Sequence, residues 1–281
     1  MLGARRQGPA VAGGAPGGSV SAGARVEDAI RAANASGRPA LVAYLTAGFP
    51  APARFADDLR TLARAADVVE IGVPFSDPMA DGVTIQRASR AALEQGTTPT
   101  SILDALEAMD PRPAAPLVLM SYLNPLLALG VGTLAQRAVR AGIDAVIVPD
   151  LPLDEAAPLA EPLARRGVGL VQLATPVTPP ERLARLCAAS RGFVYAVTVT
   201  GTTGGRAAIA PGTLAYLERV RAAARVPVCA GFGIRSAQQM QALAGHVDGV
   251  IVGSAIVECL ERGEDPAALL EELRAGTEDR R

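Results

Sequence analysis

Residues 228–254, VCAGFGIRSAQQMQALAGHVDGVIVGS, decide the fold. A short apolar run, Val228-Cys229-Ala230, leads into Gly231-Phe232-Gly233, and a second run, Gly249–Val252, leads into Gly253-Ser254. Between them Ser236, with Gln239 three positions on, has the spacing of a capping box that opens a helix. Strand, glycine turn, helix, strand, glycine turn is the grammar of a parallel sheet built from crossover units. Glycine lets a backbone come close to a ligand, and a helix N-terminus offers unpaired N–H groups. The two turns therefore also form a candidate anion site.

The same alternation extends back through the chain. Short β-branched or apolar runs recur roughly every 20 to 45 residues from Pro39: Ala40–Leu45, Val68–Ile71, Leu117–Ser121, Ala145–Val148, Gly169–Leu173, Phe193–Val197, then the two already quoted. Amphipathic Ala/Leu/Arg/Glu segments fill the intervals, and Thr178, Pro179 and Glu181 read as another capping box with proline at the first helical position. Eight such strands favour an α/β fold of the closed (β/α)8 TIM barrel type over an open doubly wound sheet, which usually carries five to seven. In a barrel, functional groups gather at the C-terminal ends of the strands. The chain of 281 residues then divides into a disordered Gly/Ala-rich extension, 1–24, and a single barrel domain, 25–281. No linker-like stretch follows residue 38, and no internal repeat is legible.

Composition removes several chemistries. Basic and acidic residues number 27 and 28, which leaves no electrostatic footprint for nucleic acid or an anionic membrane. All the basic residues are arginine, so Schiff-base catalysis through a lysine of this chain is excluded. Cys187, Cys229 and Cys259 lack metal-ligand spacing and read as buried thiols of a reducing, cytoplasmic compartment; no metal site is expected. Pro116–Ala135 is apolar, but Ser121, Asn124, Pro125, Gly130 and Gly132 break it into a strand and a loop rather than a membrane span. His246, the one histidine, precedes the last strand, at the end opposite the presumed site.

Val69–Gln86, VEIGVPFSDPMADGVTIQ, carries the chemistry. Glu70 stands on an apolar strand, where either face is dry, and Asp81 lies eleven positions on in the loop beyond. If both face one cavity, the drier carboxyl has a raised pKa and moves a proton while the wetter one stays ionised. Met79, beside Asp77-Pro78, is an apolar tip on either a lid or a partner contact. Gly201–Arg206 is a further glycine-rich turn, either a loop that closes on a substrate or a flexible connection. Tyr195 either lends a hydroxyl to the cavity or packs in the core.

Taken together these motifs resemble the tryptophan synthase α chain over roughly Pro39 to Leu273. The match rests on VEIGVPFSDPMADGVTIQ, MSYLNP (Met120–Pro125), VIVPDLPLDE (Val146–Glu155), GTTGGR (Gly201–Arg206), GFGI (Gly231–Ile234) and VGSAIV (Val252–Val257), in the family's order. The resemblance implies aldol cleavage of indole-3-glycerol phosphate to indole and D-glyceraldehyde 3-phosphate, with Glu70 as the acid-base catalyst and Asp81 on the indole N–H. It places Tyr122, Tyr195, Thr203, Gly204, Gly233, Gly253 and Ser254 around the substrate and its phosphate. It places Asp77, Pro78, Asp150 and Pro152 against a β chain that carries pyridoxal phosphate, in an α2β2 heterotetramer, with no cofactor in this chain. Val83 and Val199 depart from the family pattern, where proline and arginine are frequent. Another phosphosugar barrel enzyme, or a subunit that mainly activates its partner, are the competing readings.

Overall fold

The computed structural model of the chain describes residues 21–198, 211–231 and 233–278. Eight parallel strands pair in sequence order: β1 (Ala40–Thr46), β2 (Val68–Gly72), β3 (Leu117–Met120), β4 (Ile143–Ile147), β5 (Gly169–Ala174), β6 (Val194–Val197), β7 (Val228–Gly231) and β8 (Gly249–Val252). β8 pairs back onto β1, so the sheet closes into a (β/α)8 TIM barrel. Strand ends lie within two residues of those expected from sequence.

Every residue of β1 and β2 is buried, which is why these strands read as continuous apolar runs rather than as alternating ones. Alternation survives in what each face touches. Val42, Val68, Val118, Ala145, Ile147, Val171, Phe193, Tyr195, Cys229 and Ile251 pack together inside the barrel. Leu41, Leu45, Val69, Ile71, Leu119, Val146, Leu170 and Val250 pack outward under the helices. The helix Ala24–Ala35 turns Val26, Ile30 and Ala33 into the interior cluster and so plugs the N-terminal end of the barrel. Arg25 bonds Asp144 and the Asn34 amide donates to the Asp248 carbonyl at 2.7 Å, which fixes the plug to two strand starts. Residues 1–20, most of the expected extension, lie outside the described residues.

A repeat invisible in the sequence joins the strands in twos at this end. The Asp67 carboxylate, before β2, accepts from the Leu41 N–H of β1 at 2.8 Å. Asp144 in β4 accepts from Leu117 N–H of β3 at 3.0 Å, and Asp248 before β8 accepts from Val228 N–H of β7 at 2.7 Å. Between β5 and β6 the Ser190 hydroxyl takes this part, accepting from Gln172 N–H at 2.9 Å. An arginine neutralises each aspartate: Arg38 on Asp67, Arg25 on Asp144, Arg221 on Asp248.

Two helix starts differ from expectation. The Ser236 side chain does cap Gln239 N–H, but the Gln239 amide oxygen accepts from Arg235 N–H rather than closing the box. The helix expected from Pro179 begins at Pro180, because a residue before proline is pushed out of the helical region and Pro179 stays extended at ψ 149°. Thr178 is then too early to cap, and its hydroxyl instead accepts from Thr175 N–H at 2.9 Å. Pro116–Ala135 forms β3, the short helix Leu123–Leu129 and the start of the helix Val131–Ala141, and among the described residues no helix is long and apolar enough to cross a membrane. His246 pairs with Glu218 at 3.3 Å beside the start of β8, away from the C-terminal mouth. The three cysteines are buried and free.

Candidate active site

Strand β2 alternates Val68 and Glu70 inward, Val69 and Ile71 outward, and register sets Glu70 level with Tyr44 of β1 and Val118 of β3. The Glu70 side chain therefore enters the interior above the apolar plug. It is 1% exposed, and its Oε2 atom has no hydrogen-bond partner. A carboxylate so placed is costly, and the group keeps its proton instead. Burial, and secondarily the charge of Asp81, push its pKa up to about 8.

The chain leaves β2 through the loop that carries Asp81 and resumes as the helix Val83–Glu94. Three contacts shape that loop. Ala80 N–H donates to the Tyr122 hydroxyl oxygen at 2.9 Å, Phe75 stacks on the Tyr122 ring with centroids 5.0 Å apart, and the Gln86 amide donates to the Asp81 carbonyl at 2.9 Å. Tyr122, just beyond β3, thus ties the loop down beside the barrel mouth. Burial raises the Asp81 pKa to about 6 against a lowering hydrogen bond from the Tyr122 hydroxyl. Near neutrality one carboxyl holds a proton and the other is ionised, the division that acid-base chemistry uses.

Both acids line one cavity with Tyr44, Ile85, Met120, Tyr195, Gly233, Ile251, Gly253 and Ser254. Gly82, Met120, Tyr195, Gly233 and Ser254 also line a larger cavity of about 780 Å³, walled by Ile147, Val148, Val171, Leu173 and Val197. A space with a largely apolar inner wall, roomy enough for an aromatic ring, thus adjoins the acid pair. Beyond β1, at the end of β8, Gly253 precedes the helix Ser254–Glu261, whose first N–H groups have no partner within the helix. The other expected glycine turn differs. No helix follows β7 directly; the chain turns at Gly233, held at φ 78°, and the helix Ala237–Leu243 starts only after the Ser236 cap. Of the two glycine turns expected to open into helices, only Gly253-Ser254 does so directly at this cavity.

Of the other expected site residues, Tyr195 and Tyr122 are buried beside the acids, and burial raises both hydroxyl pKa values. Thr203, Gly204 and Val199 lie outside the described residues. Asp77 is exposed on the loop after β2 and Pro78 half-buried. Asp150 and Pro152 are exposed after β4, where Asp150 accepts from Leu123 N–H at 2.9 Å. The sequence reading did not single out Tyr44, Ile85, Met120 or Ile251. For Tyr44 a signal existed, since Tyr44 and Thr46 put two hydroxyls on one face of an otherwise apolar strand.

Comparison with known proteins converges on one family. A profile described as tryptophan synthase alpha chain matches residues 30–279. The chain is 46% identical over 247 residues to the tryptophan synthase alpha chain of Nitratidesulfovibrio vulgaris (strain DP4), covering 88% of this chain and 96% of that one. It is 40% identical over 253 residues to that of Deinococcus radiodurans, covering 90% and 94%. Among solved structures, tryptophan synthase from M. tuberculosis superposes with a TM-score of 0.81 at 36% identity, over 90% of this chain and 98% of that one. Tryptophan synthase subunit alpha from Legionella pneumophila gives 0.81 at 32% identity, over 91% and 98%. With the barrel, the acid pair and these likenesses spanning nearly all the described residues, the chain belongs to the tryptophan synthase alpha chain family.

Proposed function

We infer that the chain cleaves indole-3-glycerol phosphate to indole and D-glyceraldehyde 3-phosphate, the lyase step of its family in tryptophan biosynthesis, by carboxylate acid-base catalysis. The observation that carries this reading is the buried Glu70 carboxyl, its Oε2 without a hydrogen-bond partner, in one cavity with Asp81. Glu70 protonates the indole ring carbon that bears the glycerol chain. Asp81 accepts a hydrogen bond from the ring N–H and stabilises the iminium-like cation so formed. The bond from ring to side chain then breaks and its electron pair returns to the ring as indole. The hydroxyl proton of the departing carbon passes to the Glu70 carboxylate, which leaves an aldehyde and restores the acid. Ring protonation supplies its own electron sink, so a chain without lysine suffices.

Gly233, Gly253 and Ser254, with Thr203 and Gly204, hold the phosphate, and the N-terminus of the helix Ser254–Glu261 favours that charge. Tyr122 and Tyr195 flank the indole. Asp77, Pro78, Asp150 and Pro152 surround a surface for the β chain, in an α2β2 complex where the β chain carries pyridoxal phosphate. Met79, 89% exposed, Val83, 79% exposed, and Leu127, 54% exposed, give that surface its apolar contacts. We place the complex in the cytoplasm and treat residues 25–281 as one catalytic unit. Purified chain is expected to release indole from indole-3-glycerol phosphate, and to do so faster with a β chain. Glu70→Gln should lower turnover by at least about 10³-fold; unchanged turnover would remove Glu70 from the mechanism.

A further inference from the structure

The described walls of the acid cavity contain no cationic side chain, so the surroundings of Glu70 are set by shape and by a few hydroxyls. Tyr44 fills an unusual place among them. Its Cα is level with Glu70, yet its ring leans across β2 onto Gly72, the next inward position toward the mouth. A Cβ at Gly72 would collide with the Tyr44 hydroxyl oxygen and lie 2.5 Å from the ring carbon that bears it. The ring thus occupies the space that a side chain at residue 72 would take. Thr46, level with Gly72 and 1% exposed, holds the hydroxyl at 3.2 Å. The effect is an aromatic cover on the mouth side of Glu70.

We propose that Tyr44, seated on Gly72 and tethered by Thr46, is a positioning residue that shields the Glu70 carboxyl from water, the ring rather than the hydroxyl being the working part. This deepens the reading of Glu70 as the acid and rests on it. The other titratable groups that face Glu70 are Asp81 from the loop after β2, Tyr195 of β6 and Cys229 of β7, while β3 and β8 present Met120 and Ile251. Asp81 adds negative charge, while Tyr195 and Cys229, like Tyr44 itself, are neutral near pH 7 because burial raises all three pKa values. Water access is therefore the variable that Tyr44 controls. Burial being the largest cause of the Glu70 shift agrees with this.

The test compares Tyr44→Phe, Tyr44→Ala and Gly72→Ala in the full chain with its β chain. The alkaline limb of kcat/KM for cleavage should move down by about one pH unit in Tyr44→Ala and in Gly72→Ala, which expels the ring, and stay in place in Tyr44→Phe. The protonated-carboxyl infrared band that disappears in Glu70→Gln, titrated against pH in the isolated chain, should report the same shifts whether or not cleavage is measured. A band that moves equally in Tyr44→Phe would assign the effect to the hydroxyl and overturn the proposal. So would a band that titrates unchanged in Tyr44→Ala. A wild-type chain without cleavage but with these band shifts would refute the proposed reaction while sustaining the shielding role.

Discussion

Glu70 holds its proton because it is buried, with no cationic side chain among the described residues of its cavity, and that has a cost in stability with a definite sign. Its folded pKa, about 8, lies above the ordinary value of 4.5, so between these pH values the native state binds a proton that the unfolded chain has released. Stability on this account is fully present below about 4.5 and is lost as pH rises toward about 8. Glu70→Gln, which keeps the shape and removes the titration, should therefore be more stable than the wild type at pH 8 by roughly 2 kcal/mol or more, with the two converging near pH 4.5. Urea titrations of both proteins at the two pH values read this directly; parallel stability curves would mean that Glu70 is ionised when buried. At this scale the sequence set Glu70 apart, since a carboxylate within VVEIG calls for either an arginine partner or a chemical role, and its Oε2 has no hydrogen-bond partner. For Tyr44 the sequence offered only the two hydroxyls of Tyr44 and Thr46 on one strand face, because the contact of the ring with Gly72 depends on the pairing of two strands.

At the scale of elements, the side-chain clamps at the N-terminal end explain how eight short strands keep register. Asp67 shows the device most fully. Its carboxylate takes both guanidinium nitrogens of Arg38 at 2.7 Å as well as the Leu41 N–H, and Arg274 approaches at 3.5 Å. Burial raises its pKa, but the Arg38 and Leu41 hydrogen bonds and the two arginine charges outweigh that and hold it below the ordinary carboxylate value. The stabilisation is thus present above that value and lost as pH falls through the depressed one. Asp67→Asn should cost about 2 kcal/mol at pH 7 and much less near pH 3, measured by thermal or urea unfolding. An equal cost at both pH values would show that charge has no part in the clamp. Strands and helices were legible from apolar runs and their spacing. The clamps were not, because each joins residues that only barrel closure brings together. The helix at Pro180 was misplaced by one residue for a local reason, the effect of one proline on the residue before it.

The whole molecule separates its two ends. The plug helix, the clamps and His246 lie at one, while the acids, the glycine turns and the exposed apolar loops lie at the other. Met79, Val83 and Leu127 stand out from a surface otherwise rich in arginine ion pairs, which supports the β-chain surface proposed at the mouth. Leu127→Asp should weaken β-chain affinity by at least about ten-fold, read by titration calorimetry, and leave unstimulated cleavage intact; undiminished affinity would move the interface elsewhere.

Chemistry and architecture meet in the claim that two carboxyls of unlike environment divide the work, and the pH dependence of kcat/KM for indole-3-glycerol phosphate cleavage tests it most directly. Cleavage needs Asp81 ionised and Glu70 protonated, so the profile should be a bell that falls below about 6 and above about 8. Asp81→Asn should lose the acid limb and keep the alkaline one. A profile flat from pH 5 to about 9, or an alkaline limb that persists in whatever activity Glu70→Gln retains, would contradict it.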